Sequence, residues 1–563
     1  MLDTELDLDF YIQPNRALLL LEAENFLEAS PSENSPLRRH PSYINKKFQI
    51  IWDTRKIPSH QNSKEIIFIA RKTDRFDSHS RVAELLNAGY IVIAQSDCVR
   101  MPAENQHGTW ADNLLAHPNL ICVSSTEKAL HFLVQISSEL KVEEWTTIAI
   151  TGTNGKTSST QIAAQLLEEL SQQSVLRLGT LGIQIGDHLW DNPFPTQPDF
   201  PGLLASLRHA RSNFSCTQLV MEATSIGVAE NRLGPWPVQC AAFLNISQDH
   251  LDYHGTMEKY LEAKLDLFRK HLVSDGQVIL NCEDHSWEKV IAASTGPSRL
   301  CLGFGKAGRR EAFFEKAQQK FSGVRYLESS HQRSTLSGVQ GQWTLWLDSS
   351  TALAQSQYAV SLLGEVQHDN VAAAAALMVS LGYPLNQIAG SCQRIRPIRG
   401  RLESVDTVQQ SQQSTVLVDY AHSPDALEKT LRTCRSLLQS NGKLICVFGC
   451  GGDRDSGKRP IMGRIASIYA DHVWITSDNP RTEDPEQIIH QILCGIAPDR
   501  KSLTTVNPDR KNAIFAAIQS AGPSDLVLIA GKGHEDYQII GTTKYPFSDS
   551  DVARQALKSK SNI

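Results

Sequence analysis

Thr146-Thr147-Ile148-Ala149-Ile150-Thr151-Gly152-Thr153-Asn154-Gly155-Lys156-Thr157-Ser158 is the stretch from which the rest of the chain can be placed. A β-branched run leads into a glycine-containing turn, and Ser159 to Leu170 continues with helical spacing. The pattern reads as strand, loop and helix. Such a loop turns backbone N–H groups and a helix N-terminus toward an anion, and Lys156 adds a mobile positive charge. Thr157 follows the lysine, where a hydroxyl can ligate the Mg²⁺ that accompanies a nucleotide triphosphate. Gly152, Thr153, Asn154, Gly155, Lys156, Thr157 and Ser158 are therefore the candidate phosphate-holding residues. The pattern departs from its full form at one place, with Ile150 where a glycine is usual.

Composition narrows the function classes. A chain of 563 residues exceeds one core, and the length prior suggests about three or four domains. Hydrophobic content of 41% and charged content of 21% are those of an ordinary globular protein. A formal net charge of −6, with no long Lys/Arg run, disfavours a nucleic-acid partner. The acidic N-terminus, Met1 to Asp7, differs from the basic start of a secretory signal, and the apolar runs are too short for a membrane span. The 11 cysteines lack paired spacing, which points to a reducing cytoplasm. Cys446 and Cys450 come nearest to a metal pair, but they flank Val447-Phe448-Gly449 and read as buried apolar residues, so no zinc site is expected.

Before the phosphate loop the chain is weakly patterned to about residue 45, and Ser30 to Pro36 reads as a loop. Strand-like runs at Glu65–Ala70 and Tyr90–Ala94, with a helical segment at Arg81–Asn87, suggest a small α/β domain over 1–142. Beyond the loop, Leu219-Val220-Met221-Glu222 is a buried strand with a carboxylate at its end, and Cys240 to Ile246 is another. Open α/β sheets hold ligands beyond the carboxyl ends of their strands, so these elements aim chemistry at one crevice. Residues 283–360 show only mixed polar and short strand-like runs, and Val371–Leu377 is alanine-rich and helical. The central domain is placed at 143–398. From 399 to 563 four apolar strands, ending at Asp419, Phe448, Thr476 and Ala530, alternate with helices, while Asp406–Gln413 reads as a polar loop. That is a doubly wound, Rossmann-like domain with a second carboxyl-edge crevice.

Polar loops sit where those strands end. Ser423-Pro424 reads as helix punctuation, whereas Asp419-Tyr420 at a strand end suggests a ligand contact. Gly449 to Asp455, Ser477-Asp478-Asn479-Pro480-Arg481 and Gly531 to Asp536 converge on one edge, although glycines and aspartates favour solvated turns on their own. Lys264 falls in the apolar stripe formed by Met257, Tyr260, Leu261, Leu265 and Phe268. It either snorkels to water or is desolvated, with a depressed pKa and a reactive amine.

Together these motifs resemble the Mur ligase family, most closely its members that add meso-diaminopimelate to a UDP-N-acetylmuramoyl-dipeptide. The resemblance is carried by Thr151–Thr157, Thr196-Gln197-Pro198-Asp199, Met221-Glu222, Asn245–Phe268, Gly400–Glu403, Asp419–Asp425, Gly449–Pro460, Asp478–Arg481 and Gly531–Gln538. Over the first 140 residues it is thin, limited to Asp53-Thr54-Arg55, Phe68-Ile69-Ala70 and the pair Asp77/His79.

The resemblance implies an ATP-dependent, acyl-phosphate mechanism in a monomeric cytoplasmic enzyme of three α/β domains, central P-loop type included. Lys156 would hold the β/γ-phosphates, and Thr157 with Glu222 one Mg²⁺. His250 and Lys264 would serve a second metal, Lys264 as a carbamate. Asn370, Arg401 and Asp419 would line the ATP site. Asp53, Thr54, Thr196, Gln197, Thr224 and Arg232 would contact the UDP-muramoyl-dipeptide, and Arg454, Asp478, Asn479, Arg481, Gly531 and Glu535 the diaminopimelate.

Against the family pattern, Gln197 replaces a threonine, Thr224 a serine, Ile226 a histidine, Glu230 a glutamine, Gln367 an asparagine and Ser456 a lysine. Glu230 would repel an anionic substrate unless it is protonated or paired. Two alternatives remain open. A ligase of the same fold could use lysine or another acceptor, against which the loops at 478–481 and 531–535 argue. A silent nucleotide-binding paralogue would have no need for all of Lys156, Glu222, His250 and Lys264.

Overall fold

The structure, a computed structural model, describes residues 9–24, 26–29, 48–53, 66–73, 76–95, 97–98, 117–190, 196–405, 414–438 and 441–561. Thr54 and the expected loops at 30–36 and 406–413 lie outside the described residues. The chain is α/β throughout and divides into two compact units. The first holds 1–147, 182–219 and 224–237, and the second 148–181, 220–223 and 238–563.

In the first unit, β1 (Phe10–Ile12), β2 (Leu27–Ala29), β3 (Phe48–Ile51), β4 (Ile66–Ile69), β5 (Ile91–Gln95) and β6 (Leu120–Val123) form a sheet in the order β1-β3-β4-β5-β6-β2. Its centre, from β3 to β6, is parallel. The continuous apolar run Ile66-Ile67-Phe68-Ile69 is buried at every position, as expected of a parallel strand covered on both faces. Helix α1 (Thr126–Ser138) starts where the Ser125 hydroxyl accepts from the Lys128 N–H. The expected helix near 81–87 is present at Val82–Asn87, preceded by a 3₁₀ turn over Ser78–Arg81.

The second unit has, among the described residues, two large sheets, each with its own apolar core, and a two-stranded ribbon of Tyr537–Ile540 and Thr543–Pro546. The first comprises β7 (Thr146–Thr151), β8 (Val175–Gly179), β9 (Gln218–Glu222), β10 (Val238–Phe243), β11 (Leu272–Asn281), β12 (Gly296–Gly305), β13 (Phe321–Thr335), β14 (Gly338–Trp346) and β15 (Ala352–Val360). Their order is β8-β9-β7-β10-β11-β12-β13-β14-β15. The stretch 283–360 thus resolves into long strands, with β13, β14 and β15 as an antiparallel meander whose polar face is exposed. Helix α2 (Lys156–Ser171) follows β7, and α3 (Val366–Ser380) packs beside it. The alanines of α3 from Ala372 to Ala376 are buried, and their small side chains permit that close approach.

The last sheet comprises β16 (Glu403–Ser404), β17 (Thr415–Asp419), β18 (Leu444–Phe448), β19 (His472–Ile475), β20 (Thr504–Val506) and β21 (Leu526–Ala530), ordered β16-β17-β21-β18-β19-β20. All but β16 run parallel, so Asp419, Phe448, Ile475 and Ala530 end at one edge. Helix α4 (Pro424–Leu437) begins with Ser423 capping the Ala426 N–H and buries Leu427, Leu431 and Cys434. Cys446 and Cys450 are buried and free, as the sequence suggested.

Two buried imidazoles predict acid lability. Burial is the main cause that lowers His131 and His368 to about 4 from the usual value near 6.5. The unfolded chain binds the extra protons, so the stability they carry is complete above about pH 6.5 and is lost as the pH falls toward about 4. Melting temperature should fall across that window, less steeply in His368→Asn; a pH-independent melting point from 7 to 4 contradicts the assignment.

Candidate active site

The phosphate loop is clamped from a neighbouring strand end. Asn245, beyond β10, accepts on Oδ1 from the N–H groups of Thr153 (3.1 Å) and Asn154 (2.8 Å), and its Nδ2 donates to the Asn154 carbonyl (3.1 Å). Thr153 Oγ1 lies 3.0 Å from the Tyr260 hydroxyl and accepts from the Ser247 N–H at 3.0 Å. Gly155 takes φ +83° at the start of α2, and no side chain caps that helix. A side chain at 155 would also strike Asn370 Oδ1. Asn370 Oδ1 accepts from the Ser159 hydroxyl at 3.3 Å, and its Nδ2 donates to Gln367 Oε1 at 3.0 Å. Gln367 thus orients Asn370.

Lys156 Nζ donates to the carbonyls of Gly152 (2.8 Å) and Thr153 (2.9 Å). The same Gly152 carbonyl accepts from Lys264 Nζ at 2.9 Å. Helix α5 (Met257–Asp266) carries Lys264, whose side chain is 1% exposed, with Nζ 4.6 Å from the centre of the Tyr260 ring. Lys264 does not snorkel. Burial first, and then the neighbouring Lys156 charge, hold its pKa well below the usual lysine range, against the pull of Asp249. Lys156 is lowered too, mainly by burial, with Glu222 and Asp249 opposing. His250 is exposed at φ +52°, its Nε2 3.5 Å from Asp249 Oδ2 and its ring 6.1 Å from that of Tyr260.

Glu222 ends β9 and is 1% exposed. Its Oε2 accepts from Thr157 Oγ1 (3.1 Å) and Thr180 Oγ1 (3.1 Å), and its Oε1 from the Thr180 N–H (2.8 Å). A Cβ at Gly179 would lie 2.2 Å from Oε1, so glycine is required beside this carboxylate. Arg401 Nη2 donates to Thr157 Oγ1 at 3.2 Å. Asp419 turns inward: its oxygens accept from the N–H groups of Leu402 (2.8 Å) and Ala421 (2.9 Å) and the Thr430 hydroxyl (3.2 Å).

The loops at the edge of the last sheet form a second cluster. Asn479 Nδ2 donates to Glu535 Oε2 at 2.9 Å, and its Oδ1 accepts from the Ile539 N–H at 2.9 Å. Arg481 Nη1 donates to the Gly452 carbonyl at 2.7 Å, which anchors its guanidinium, while Arg454 is exposed nearby in sequence. Asp478 lies against Gly531, where a Cβ would approach its Oδ2 to 2.9 Å. Below the loops, Arg510 pairs with Asp549 at 2.7 Å, both side chains fully buried, and donates to the carbonyls of Ser477 and Ala530. That pair ties both loops to the last helix, Asp549–Ser561. His534 hydrogen-bonds the Thr180 backbone, and burial lowers its pKa to about 4.

The first unit gathers another group. Gln197 Oε1 accepts from Thr224 N (3.0 Å) and Oγ1 (3.3 Å), and Arg232 Nη1 donates to the Gln197 carbonyl at 2.9 Å. Thr196 sits beside it at φ +51°. Glu230 is paired: Oε2 accepts from Arg232 Nη2 at 2.7 Å and Nε at 2.9 Å, so its charge is met within the site. Asp53 is half-buried, at the end of the described stretch 48–53.

Sequence reasoning missed Asn245 as a clamp, Thr180, Lys532 and the Arg510–Asp549 pair. Among the described residues no cluster of His, Cys, Asp and Glu has the make-up of a metal site, and no helix is long and apolar enough to cross a membrane.

Comparisons with known proteins identify the family. Residues 150–378 match the family described as the Mur ligase middle domain, and 400–533 the one described as the Mur ligase, glutamate ligase domain. The chain is 38% identical over 441 residues to a UDP-N-acetylmuramoyl-L-alanyl-D-glutamate–2,6-diaminopimelate ligase of Thermosynechococcus vestitus, covering 78% of this chain and 82% of that protein. A Rickettsia typhi protein of the same name is 32% identical over 498 residues, covering 88% and 91%. A solved structure of a ligase with that name superposes with a TM-score of 0.58 at 28% identity, covering 91% of this chain and 95% of the other.

Proposed function

Because the chain belongs to the Mur ligase family and is an ATP-dependent ligase, we propose that it joins meso-diaminopimelate to UDP-N-acetylmuramoyl-L-Ala-D-Glu in peptidoglycan precursor synthesis. The observation that carries the reading is the junction Lys156–Gly152–Lys264 beside Thr157–Glu222. It sets the Lys156 cation and hard oxygen donors at the uncapped start of α2. That chemistry fits a nucleotide triphosphate with Mg²⁺.

A carboxylate is a poor electrophile. ATP supplies the phosphoryl group that turns it into an acyl phosphate with ADP leaving; the amine then attacks the carbonyl carbon and phosphate departs. Lys156 offsets the β/γ-phosphate charge, and the N–H groups of the loop, held by Asn245, orient the phosphates. Thr157 and Glu222 would be the oxygen donors that hold Mg²⁺, which when bound would supply positive charge to the transferring group. Arg401 adds a second cation at Thr157. Lys264 would act as a carbamate: its buried amine, whose pKa burial holds well below the usual lysine range, would attack the carbon of CO₂ and lose a proton, and with His250 it would serve a second metal. Residues 1–142 take the uridine end, 143–398 ATP and 399–563 the amino acid. Gln197, Thr224 and Arg232 form the muramoyl-dipeptide group, and the enzyme works as a cytoplasmic monomer. The test is ATP-dependent phosphate release with the muramoyl-dipeptide against a panel of amino acids. Phosphate release that does not depend on diaminopimelate overturns the reading.

Arg481 supplies the selectivity. Diaminopimelate is lysine with a second amino-acid head, so its distal carboxylate must be read, and a planar guanidinium anchored on Gly452 suits it. Arg481→Ala should lower kcat/KM for diaminopimelate at least about tenfold, since hydrogen bonds to charged groups contribute about 1.5–3 kcal/mol. Lysine, used poorly by the wild type, should lose little. An equal loss for both amino acids makes Arg481 a turn anchor only.

A further inference from the structure

Lys532 has no outlet to water: its side chain is 0% exposed at the carboxyl end of β21. Lysines ordinarily extend their ammonium groups to solvent, and a buried ammonium is tolerated only when it is paired and hydrogen-bonded. Here Nζ donates to Asn479 Oδ1 (3.0 Å) and Glu535 Oε2 (3.1 Å) and lies 3.6 Å from Asp478 Oδ1. Asn479 Oδ1 is thereby shared between Lys532 and the Ile539 N–H, which turns its amide NH₂ onto Glu535. Asp478 Oδ1 is itself buried and makes no hydrogen bond. The cluster therefore sets two carboxylates directly against Lys532, with the buried Arg510, itself paired with Asp549, behind them.

Resting on the reading that this cluster receives diaminopimelate, we propose that Lys532 is the positioning residue of the amino-acid pocket. It fixes the orientation of Asn479 and Glu535 and offsets one of the two carboxylate charges. Lys532 thus leaves one of these two carboxylates uncompensated by it, matched to an ammonium head of the incoming amino acid. Without the lysine, Asn479 and Glu535 each lose a buried donor, Asn479 is held only by the Ile539 N–H and Glu535, and Asp478 and Glu535 repel each other across a buried site.

The experiment compares wild type, Lys532→Met and Lys532→Gln by steady-state kinetics, varying diaminopimelate, ATP and the muramoyl-dipeptide in turn. Lys532→Met keeps the volume and removes the charge; its KM for diaminopimelate should rise by about tenfold or more, while the other two KM values stay within about twofold. Lys532→Gln retains a donor for Asn479 and Glu535, is neutral, and should show a smaller rise. It carries the same comparison if the methionine variant does not fold. A KM for diaminopimelate unchanged in both variants, or a parallel loss in all three KM values, shows that the lysine only fills the core and overturns the proposal. A wild type that releases no phosphate with diaminopimelate overturns the assigned reaction as well, whereas wild-type turnover with unselective variants overturns this proposal alone.

Discussion

Lys156→Ala is expected to abolish ligation in a protein that stays folded. Lys156 opens α2 at the point where the Gly152 and Thr153 carbonyls meet, and its ammonium is the charge proposed to offset the β/γ-phosphates. Removing one such preorganised charge from a desolvated site lowers kcat by about 10²–10³-fold, and here the loss falls on phosphoryl transfer itself. The fold should survive, because the loop is held independently by Asn245 and Thr153. The check is single-turnover ADP formation together with a thermal melt. Near-normal ADP formation in a folded variant removes ATP activation from the mechanism.

Lys264→Ala is the second large loss, and it should be partly reversible. Burial and then the neighbouring Lys156 charge hold the Lys264 pKa well below the usual lysine range, and the carbamate proposed for it would be an anionic oxygen ligand. The alanine variant removes the side chain that lies against the Tyr260 ring and the Gly152 carbonyl, the space that added acetate is expected to occupy. Activity should disappear and return in part with added acetate. Lys264→Met, which fills the same volume without an oxygen, should stay inactive with or without it. Electron density for an unmodified ammonium beside bound Mg²⁺ and ATP defeats the carbamate assignment.

The phosphate loop was legible because strand, turn and helix are local, each set within a few residues by period and glycine placement. The same holds for Ser423–Pro424 and the all-apolar strand Ile66–Ile69. Asn245 carries no local mark: its role depends on strand order, which brings β10 beside β7. The meander of β13 to β15 was unreadable because its strands are long, half exposed and broken by register shifts that blur the period-two pattern. Lys532 looked like any loop lysine, since burial there comes from the packing of loops 478–481 and 531–535. Arg510 and Asp549 lie 39 residues apart, and only the tertiary fold joins them. Lys264 is the instructive middle case. Its place in an apolar stripe left two readings open, and the carbonyl of Gly152 beneath its amine is a contact no helical period could reveal.

The loop from Gly531 to Glu535 alternates its allegiance: Lys532 faces Asn479 and Glu535, while His534 binds the backbone of Thr180, the residue that holds Glu222 through both its N–H and its hydroxyl. A compound lodged among Asp478, Asn479 and Glu535 that displaces this loop therefore also disturbs the carboxylate beside the nucleotide. Its inhibition pattern against ATP becomes mixed although it touches no phosphate-binding group. Resistance would then arise at loop positions that neither substrate contacts, and inhibitor screens run only at saturating nucleotide would underrate such compounds.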